Sequence, residues 1–251
     1  MMKTSGLNLL PDKPDVERDA VAKSFERGGG VVHRIGRFWD PPAFESSTVR
    51  VYGADAFCLV LQQKFGLSLC SPADDLLLAV PSRFLNRHIS RRTLGEIQSS
   101  DLPAFIKPVT PKQFRGAVYE SGEAVAEECR GLPPGTAVFV SEPVTFRTEV
   151  RTFVLDRVVL DAAAYEGTLE ASGAAEFVRT LAELMPIPLS VVVDIGFIES
   201  RGWAVIEFNS AWGAGLNGCD AEKVLPAIVA ASGLRRINGT GVLRVIVHGN
   251  R

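Results

Sequence analysis

No run in this 251-residue chain approaches the roughly 18 consecutive apolar residues of a membrane-spanning helix. The first residues reach Pro11 and Asp12 without the apolar stretch of a secretory signal. The chain is therefore read as soluble and cytoplasmic, with no membrane partner. Charge of one sign is also missing: 27 Lys and Arg face 29 Asp and Glu, leaving −2, which argues against broad nucleic-acid binding. Cysteine is sparse, and Cys58, Cys70, Cys129 and Cys219 lack any C-x-x-C spacing. Buried free thiols are expected rather than zinc ligands. His33, His88 and His248 are scattered, and no Ser or Cys stands with a spaced His and acid as a triad would require. There is no internal repeat and no low-complexity segment. What remains is a chain 46% hydrophobic and 22% charged, enough for a sizeable core in one large or two small domains.

The segments GGGVVHRIGRFW and STVRVYG read as strands, and ADAFCLVLQQKFGL has helical spacing at Phe57, Val60, Leu61 and Phe65. The stretch ADDLLLAVPSRFLNRHISRRTLGEI reads as further helix broken at Pro81. Residues 1–100 are thus expected to form a small α/β region. From Asp101 the pattern turns to strands punctuated by short helices: AFIKPV, EAVAEECRGL (helical), TAVFVSEPV, EVRTFVLDRVVLDAAAY, GAAEFVRTLAELM (helical), SVVVDIGFIES, GWAVIEFNS, and a helix in CDAEKVLPAIVAAS capped by Asp220. That mixture predicts an α+β second region over 101–251, built on antiparallel pairs.

SVVVDIGFIES and GWAVIEFNS are separated by Ser200, Arg201 and Gly202, which predicts a β-hairpin. A Ser200-Arg201 loop sets Asp194 opposite Glu207, whereas an Arg201-Gly202 loop sets it opposite Asn209. In both registers the three polar side chains cluster, with Glu207 and Asn209 on one strand face and Ile206 and Phe208 pointing the other way into the core. Two neighbouring carboxylates raise one another's pKa, a cost a fold tolerates where a cation or a catalytic proton offsets it. All-oxygen donors suit Mg²⁺ or Mn²⁺. The plain alternative is a solvent-facing strand on which polar residues alternate with core residues.

A second group upstream has the complementary charge. Lys107 ends the apolar strand FIKP, and Arg151 lies inside the strand EVRTFVLD, where a guanidinium needs an anion. Phosphate is such an anion. Arg87, Arg91 and Arg92 form a basic cluster that reads as a solvated helix face, with a phosphate or acidic-substrate contact as the alternative. GAGLNG, after Trp212, lacks G-x-G-x-x-G spacing and reads as a turn shaping the site.

The order Lys107, TAVFVSEPV, Glu149 and Arg151, Asp194, then Glu207 and Asn209 resembles the nucleotide-binding groups of the ATP-grasp superfamily, over Phe105 to about Ala230. KPVTPKQF, SEPVTFRTEVRTFV and EFNSAWGAGLNGCD are similar to a divergent clade that includes a eukaryotic translation-initiation-factor assembly protein and small bacterial and phage relatives. The resemblance implies antiparallel sheets sandwiching the nucleotide, preceded by a pre-ATP-grasp-like N-terminal segment. It further implies that Lys107 meets phosphate oxygens, Glu149 the ribose hydroxyls and Arg151 the γ-phosphate, with Asp194, Glu207 and Asn209 holding Mg²⁺. Ser141, Glu142 and Val144 would share the adenine contacts, Glu142 foremost, since Pro143 has no N–H. The chain departs from the superfamily after FIKP, where VTPKQFRGAVYES stands in place of a glycine-rich loop. There Lys112 could supply by charge what backbone N–H groups supply elsewhere, or be a solvated loop lysine.

The activity so implied is an ATP-dependent carboxylate–amine ligase acting through an acyl phosphate, with Lys107 and Arg151 catalytic and with a peptide or protein among the acceptable substrates. Two other readings fit the same motifs: an ATP-binding assembly factor with little turnover, and a kinase acting on a hydroxyl.

Overall fold

The computed structural model describes residues 6–44, 48–167, 171 and 173–234. His248 lies outside them. The chain opens on a parallel sheet: β1 (Leu7–Pro11), α1 (Val16–Arg27), β2 (Val31–Ile35) and β3 (Val49–Val51), in the order β2-β1-β3. α1 starts where the Asp15 carboxylate accepts the Arg18 backbone N–H at 2.9 Å, with Glu17 and Asp19 in its first turn. Next come α2 (Asp55–Phe65), closed by Gly66 at φ 64°, and β4 (Leu67–Leu69).

The following stretch departs from the expected broken helix. It forms a 3₁₀ turn at Leu76–Ala79, a single helical turn α3 (Ser82–Leu85) ended by Asn86 at φ 49°, and then a strand, β5 (Ile89–Thr93). Five consecutive residues of β5 pair antiparallel with β8, a tertiary ladder that outweighs the helical pattern.

Beyond it run β6 (Ala104–Pro108), β7 (Ala117–Tyr119), α4 (Gly122–Glu128), β8 (Ala137–Ser141), β9 (Thr148–Leu155), β10 (Val158–Gly167), α5 (Ala174–Leu184), β11 (Ser190–Ile198), β12 (Gly202–Asn209), α6 (Ala221–Ala231) and β13 (Ser232–Leu234). They build two antiparallel four-stranded sheets, β5-β8-β6-β7 and β10-β9-β11-β12, while β13 pairs with β4. The long strand pattern over EVRTFVLDRVVLDAAAY is a hairpin, turned at Asp156 and Arg157, both with positive φ. The α+β class with a small parallel α/β beginning thus matches expectation.

β11 is buried on both faces. Val191, Val193 and Ile195 join a core with Val150, Val154, Val205 and α5, whereas Val192 and Phe153 join the core of the parallel sheet, α1, α2 and α6. A third core lies between α4 and the sheet of β6 and β8. The four cysteines are free; Cys58, Cys129 and Cys219 are buried and Cys70 is half-buried. Among the described residues no helix is long and apolar enough to cross a membrane.

Candidate active site

The β11–β12 hairpin turns through Glu199, Ser200 and Arg201, with Ile198 opposite Gly202. Neither two-residue loop occurs, but a bulge between Asp194 and Ile195 shifts the register so that Asp194 still faces Glu207, while Asn209 faces Val192. On its other side Asp194 faces Arg151 of β9. Arg151, Asp194 and Glu207 therefore form one row across three strands, on the face that carries Phe153 and Val192 toward the core. This face is apolar at one end and ionic at the other. β12 is an edge strand, so Ile206 and Phe208 are only partly buried rather than in the core, with Phe208 against the α5 side.

Arg151 grips Asp194 with two bonds, Nε to Oδ1 at 2.9 Å and Nη2 to Oδ2 at 2.6 Å. Its third nitrogen, Nη1, donates to the Gly215 carbonyl at 2.9 Å. Asn209 Nδ2 donates to Asp194 Oδ2 at 2.9 Å and to Glu207 Oε1 at 3.1 Å. From the other antiparallel sheet, Lys107 Nζ donates to Glu207 Oε2 at 3.0 Å. Tyr165 donates its hydroxyl to Glu149 Oε2 at 2.7 Å and lays its ring 5.8 Å from the Arg151 guanidinium carbon. Lys107, Glu149, Arg151, Asp194, Glu207 and Asn209 thus come together where the two sheets meet.

Burial raises the Asp194 pKa, and Glu207 adds to it, outweighing the Arg151 and Asn209 bonds. Burial also works to raise Glu207, yet Lys107, Asn209 and Arg151 prevail and hold it below the ordinary carboxylate value. Glu149 is raised, first by burial and then by Glu166, Asp194 and Glu207, against the Tyr165 bond. Arg151 loses solvation but is raised overall by Asp194. Neighbouring carboxylates are thereby pushed in opposite directions, an arrangement common where protons or cations are handled.

Among the described residues no three His, Cys, Asp or Glu side chains converge as a metal cage. The set Asp194, Glu207 and Asn209 is two carboxylates and a carboxamide, and it fits a hard divalent cation that completes its shell with phosphate oxygens and water. The Asn209 amide would then turn its oxygen inward, while Lys107 and Arg151 would leave the carboxylates for phosphate.

The expected adenine segment follows β8. Ser141 is buried and its hydroxyl donates to the Glu142 carbonyl at 3.0 Å; the Glu142 N–H donates to His88 O at 3.3 Å. The Glu142 carboxylate accepts from Arg201 of the hairpin turn, and Val144 is half-buried. Lys112 does not join the cluster. It sits at φ 67° in the loop after β6, paired to Asp55 at 2.5 Å.

The basic cluster is not a solvated helix face. Arg91 and Arg92 lie on β5, pairing with Asp75 at 4.0 Å and Asp101 at 2.7 Å. Arg87 donates to Leu85 O at 3.0 Å and Val205 O at 2.7 Å and covers the Phe146 ring at 5.6 Å; burial pulls its pKa down to about 10. Its role was illegible because Val205 is more than a hundred residues away. Glu17, also unflagged by sequence, accepts backbone N–H groups of Leu216 and Asn217 at 2.9 and 2.7 Å.

A family model described as an ATP-grasp domain, the second family of its clade, matches residues 84–227. No curated protein matches the chain by sequence. The fold is similar to that of a RimK domain ATP-grasp protein from Sphaerobacter thermophilus, at TM-score 0.60 and 15% identity, over 89% of this chain and 98% of that one. It is similar to D-cycloserine synthetase DcsG, at TM-score 0.56 and 14% identity, over 89% and 98%. It is similar also to the ATP-grasp ligase PsnB in complex with a precursor peptide and AMPPNP, at TM-score 0.54 and 13% identity, over 92% and 98%. PsnB has likewise been solved with Mg and ADP.

Proposed function

Because the chain belongs to this ATP-grasp domain family, we propose that it is an ATP- and Mg²⁺-dependent carboxylate–amine ligase working through an acyl phosphate. One observation carries this reading. Lys107 and Arg151, from two different sheets, reach the Glu207 and Asp194 carboxylates of the β11–β12 hairpin. Two cations and two acids in one cleft suit a polyphosphate with its counter-ion.

The roles follow from chemistry. Lys107 neutralises phosphate oxygens, and Arg151, with a planar fork of donors, takes the γ-phosphate. Glu149, its Oε2 held by Tyr165, offers Oε1 to ribose hydroxyls. The backbone of Ser141, Glu142 and Val144 meets adenine, and Lys112 exchanges Asp55 for phosphate. When bound by Asp194, Glu207 and Asn209, Mg²⁺ or Mn²⁺ offsets charge on the phosphate oxygens. A substrate carboxylate attacks the γ-phosphorus, ADP departs, an amine adds to the acyl carbon, and phosphate leaves. No protein nucleophile is needed; positioning and charge neutralisation carry the reaction. The likeness to PsnB with a precursor peptide supports a peptide or protein as the acid.

The test is ADP and phosphate release with ATP, Mg²⁺ and panels of acids and peptides, with hydroxylamine as a general amine trap. Hydroxamate formation lost in Glu207→Gln supports the ligase. A phosphorylated hydroxyl without free phosphate points to a kinase, and ATP binding with no release under any condition points to an assembly factor.

A further inference from the structure

The loop after β12, residues 210–219, carries the Gly215 carbonyl that holds Arg151, and it is strapped to the N-terminal region. Tyr52, buried, donates its hydroxyl to Ala214 O at 2.9 Å. Gly53 N–H donates to Trp212 O at 3.1 Å, and Trp212 Nε1 donates to Ser71 Oγ at 3.2 Å. The most direct strap is ionic. Glu17, in the first turn of α1, accepts Leu216 N–H on Oε2 at 2.9 Å and Asn217 N–H on Oε1 at 2.7 Å. Both oxygens of one carboxylate are spent on two successive amides of a loop about two hundred residues away in sequence.

The loop is shaped for this grip. Asn217 and Gly218 both take positive φ, 46° and 88°, which turns the chain beneath the carboxylate. A Cβ at Gly215 would lie 2.6 Å from Glu17 Oε2, so glycine is the residue that admits the carboxylate. On its other side the same Gly215 accepts Arg151 Nη1. Glu17, Gly215 and Arg151 form a chain of contacts running from α1 to the ionic row of the β9–β12 sheet.

We propose that Glu17 is a positioning residue for Arg151: by fixing the 214–217 loop it holds the Gly215 carbonyl where it orients the guanidinium toward the γ-phosphate. The inference rests on the γ-phosphate role given to Arg151 above. Among the described residues the Arg151 nitrogens are anchored by Asp194 and Gly215. Once Asp194 turns to a cation, the carbonyl is the remaining one, and a loop freed of its two amide bonds no longer holds it. The N-terminal region is then part of the nucleotide site without touching nucleotide.

The experiment is calorimetric titration of wild type, Glu17→Ala, Glu17→Gln, Arg151→Ala and the Glu17→Ala/Arg151→Ala double variant with Mg²⁺ and either AMPPNP or ADP. Arg151→Ala selectively weakens AMPPNP. Glu17→Ala does the same, by about tenfold for AMPPNP and within about twofold for ADP, the scale of one charge-assisted contact. Glu17→Gln, nearly isosteric and able to accept one of the two N–H groups, falls between and guards against a misfolded alanine variant. The double variant binds AMPPNP no worse than Arg151→Ala alone, because Glu17 acts through Arg151. Equal loss of both nucleotides in Glu17→Ala and Glu17→Gln, or losses that add in the double variant, overturns the inference and leaves Arg151 in place. If Arg151→Ala itself shows no preference between the nucleotides, the γ-phosphate assignment fails and the positioning role falls with it.

Discussion

Arg151 and Asp194 stand directly opposite each other on adjacent strands and join through two parallel hydrogen bonds, with side-chain exposures of only 11% and 2%. Removing one partner strands the other's charge in a buried setting. Asp194→Ala is therefore expected to lower stability by about 3–5 kcal/mol, read by urea unfolding. Asp194→Asn, which keeps an acceptor for one guanidinium nitrogen, loses less. A loss below about 1 kcal/mol in the alanine variant would place the pair among ordinary surface bridges.

Lys107 holds the Glu207 carboxyl down. In Lys107→Met the Glu207 titration midpoint, followed by carbon NMR of its carboxyl, should move up, because burial is then opposed only by Asn209 and Arg151. Nucleotide affinity should fall about tenfold or more in the same variant. A Glu207 midpoint that stays put would show that the ammonium does not control it.

Glu149 is raised above its ordinary 4.5, with burial the leading cause. A carboxyl raised on folding favours the protonated native state, so its contribution to stability is full below about pH 4.5 and lost as pH rises through the folded value. Glu149→Gln stays neutral and still accepts the Tyr165 hydroxyl. It should be more stable than wild type at about pH 7, with the advantage fading as the pH approaches about 4.5. Denaturation curves across that interval decide it; a difference that grows toward acid has the wrong sign.

A methyl group at Gly196 would overlap the Phe146 ring, which is itself covered by Arg87. Gly196→Ala should cost about 1–3 kcal/mol by overpacking and displace the segment between Ser141 and Thr148. Weaker binding of adenosine as well as of ATP is the expected companion. Unchanged adenosine affinity alongside the stability loss would detach this segment from the base.

Much of the ionic row could be read from local sequence: the i, i+2 spacing of Glu207 and Asn209 and the short gap after Asp194 bring those three together in any hairpin register. Lys107 and Arg151 stood out because a charge in an apolar strand needs a partner. Their actual partners were not legible, since Lys107–Glu207 spans two sheets and Arg151–Asp194 depends on β9 pairing with β11. Helical spacing also misjudged Ile89–Thr93, whose strand form is imposed by β8. Arg87, Glu17 and Tyr165 raise no signal in sequence because each finds its purpose in a backbone group or side chain brought close only by folding.

The core under the parallel sheet is completed by Val224, Leu225, Ala227, Ile228 and Val229 of α6, which pack with Leu9, Leu10, Val21 and Phe25. During synthesis β1 and α1 must therefore wait for a helix roughly two hundred residues later before their apolar faces are covered; at about 5–20 residues per second that is a delay on the order of ten to forty seconds. This segment leaves the ribosome long before it can settle, and throughout that interval its uncovered leucines, valine and phenylalanine are open to chaperones.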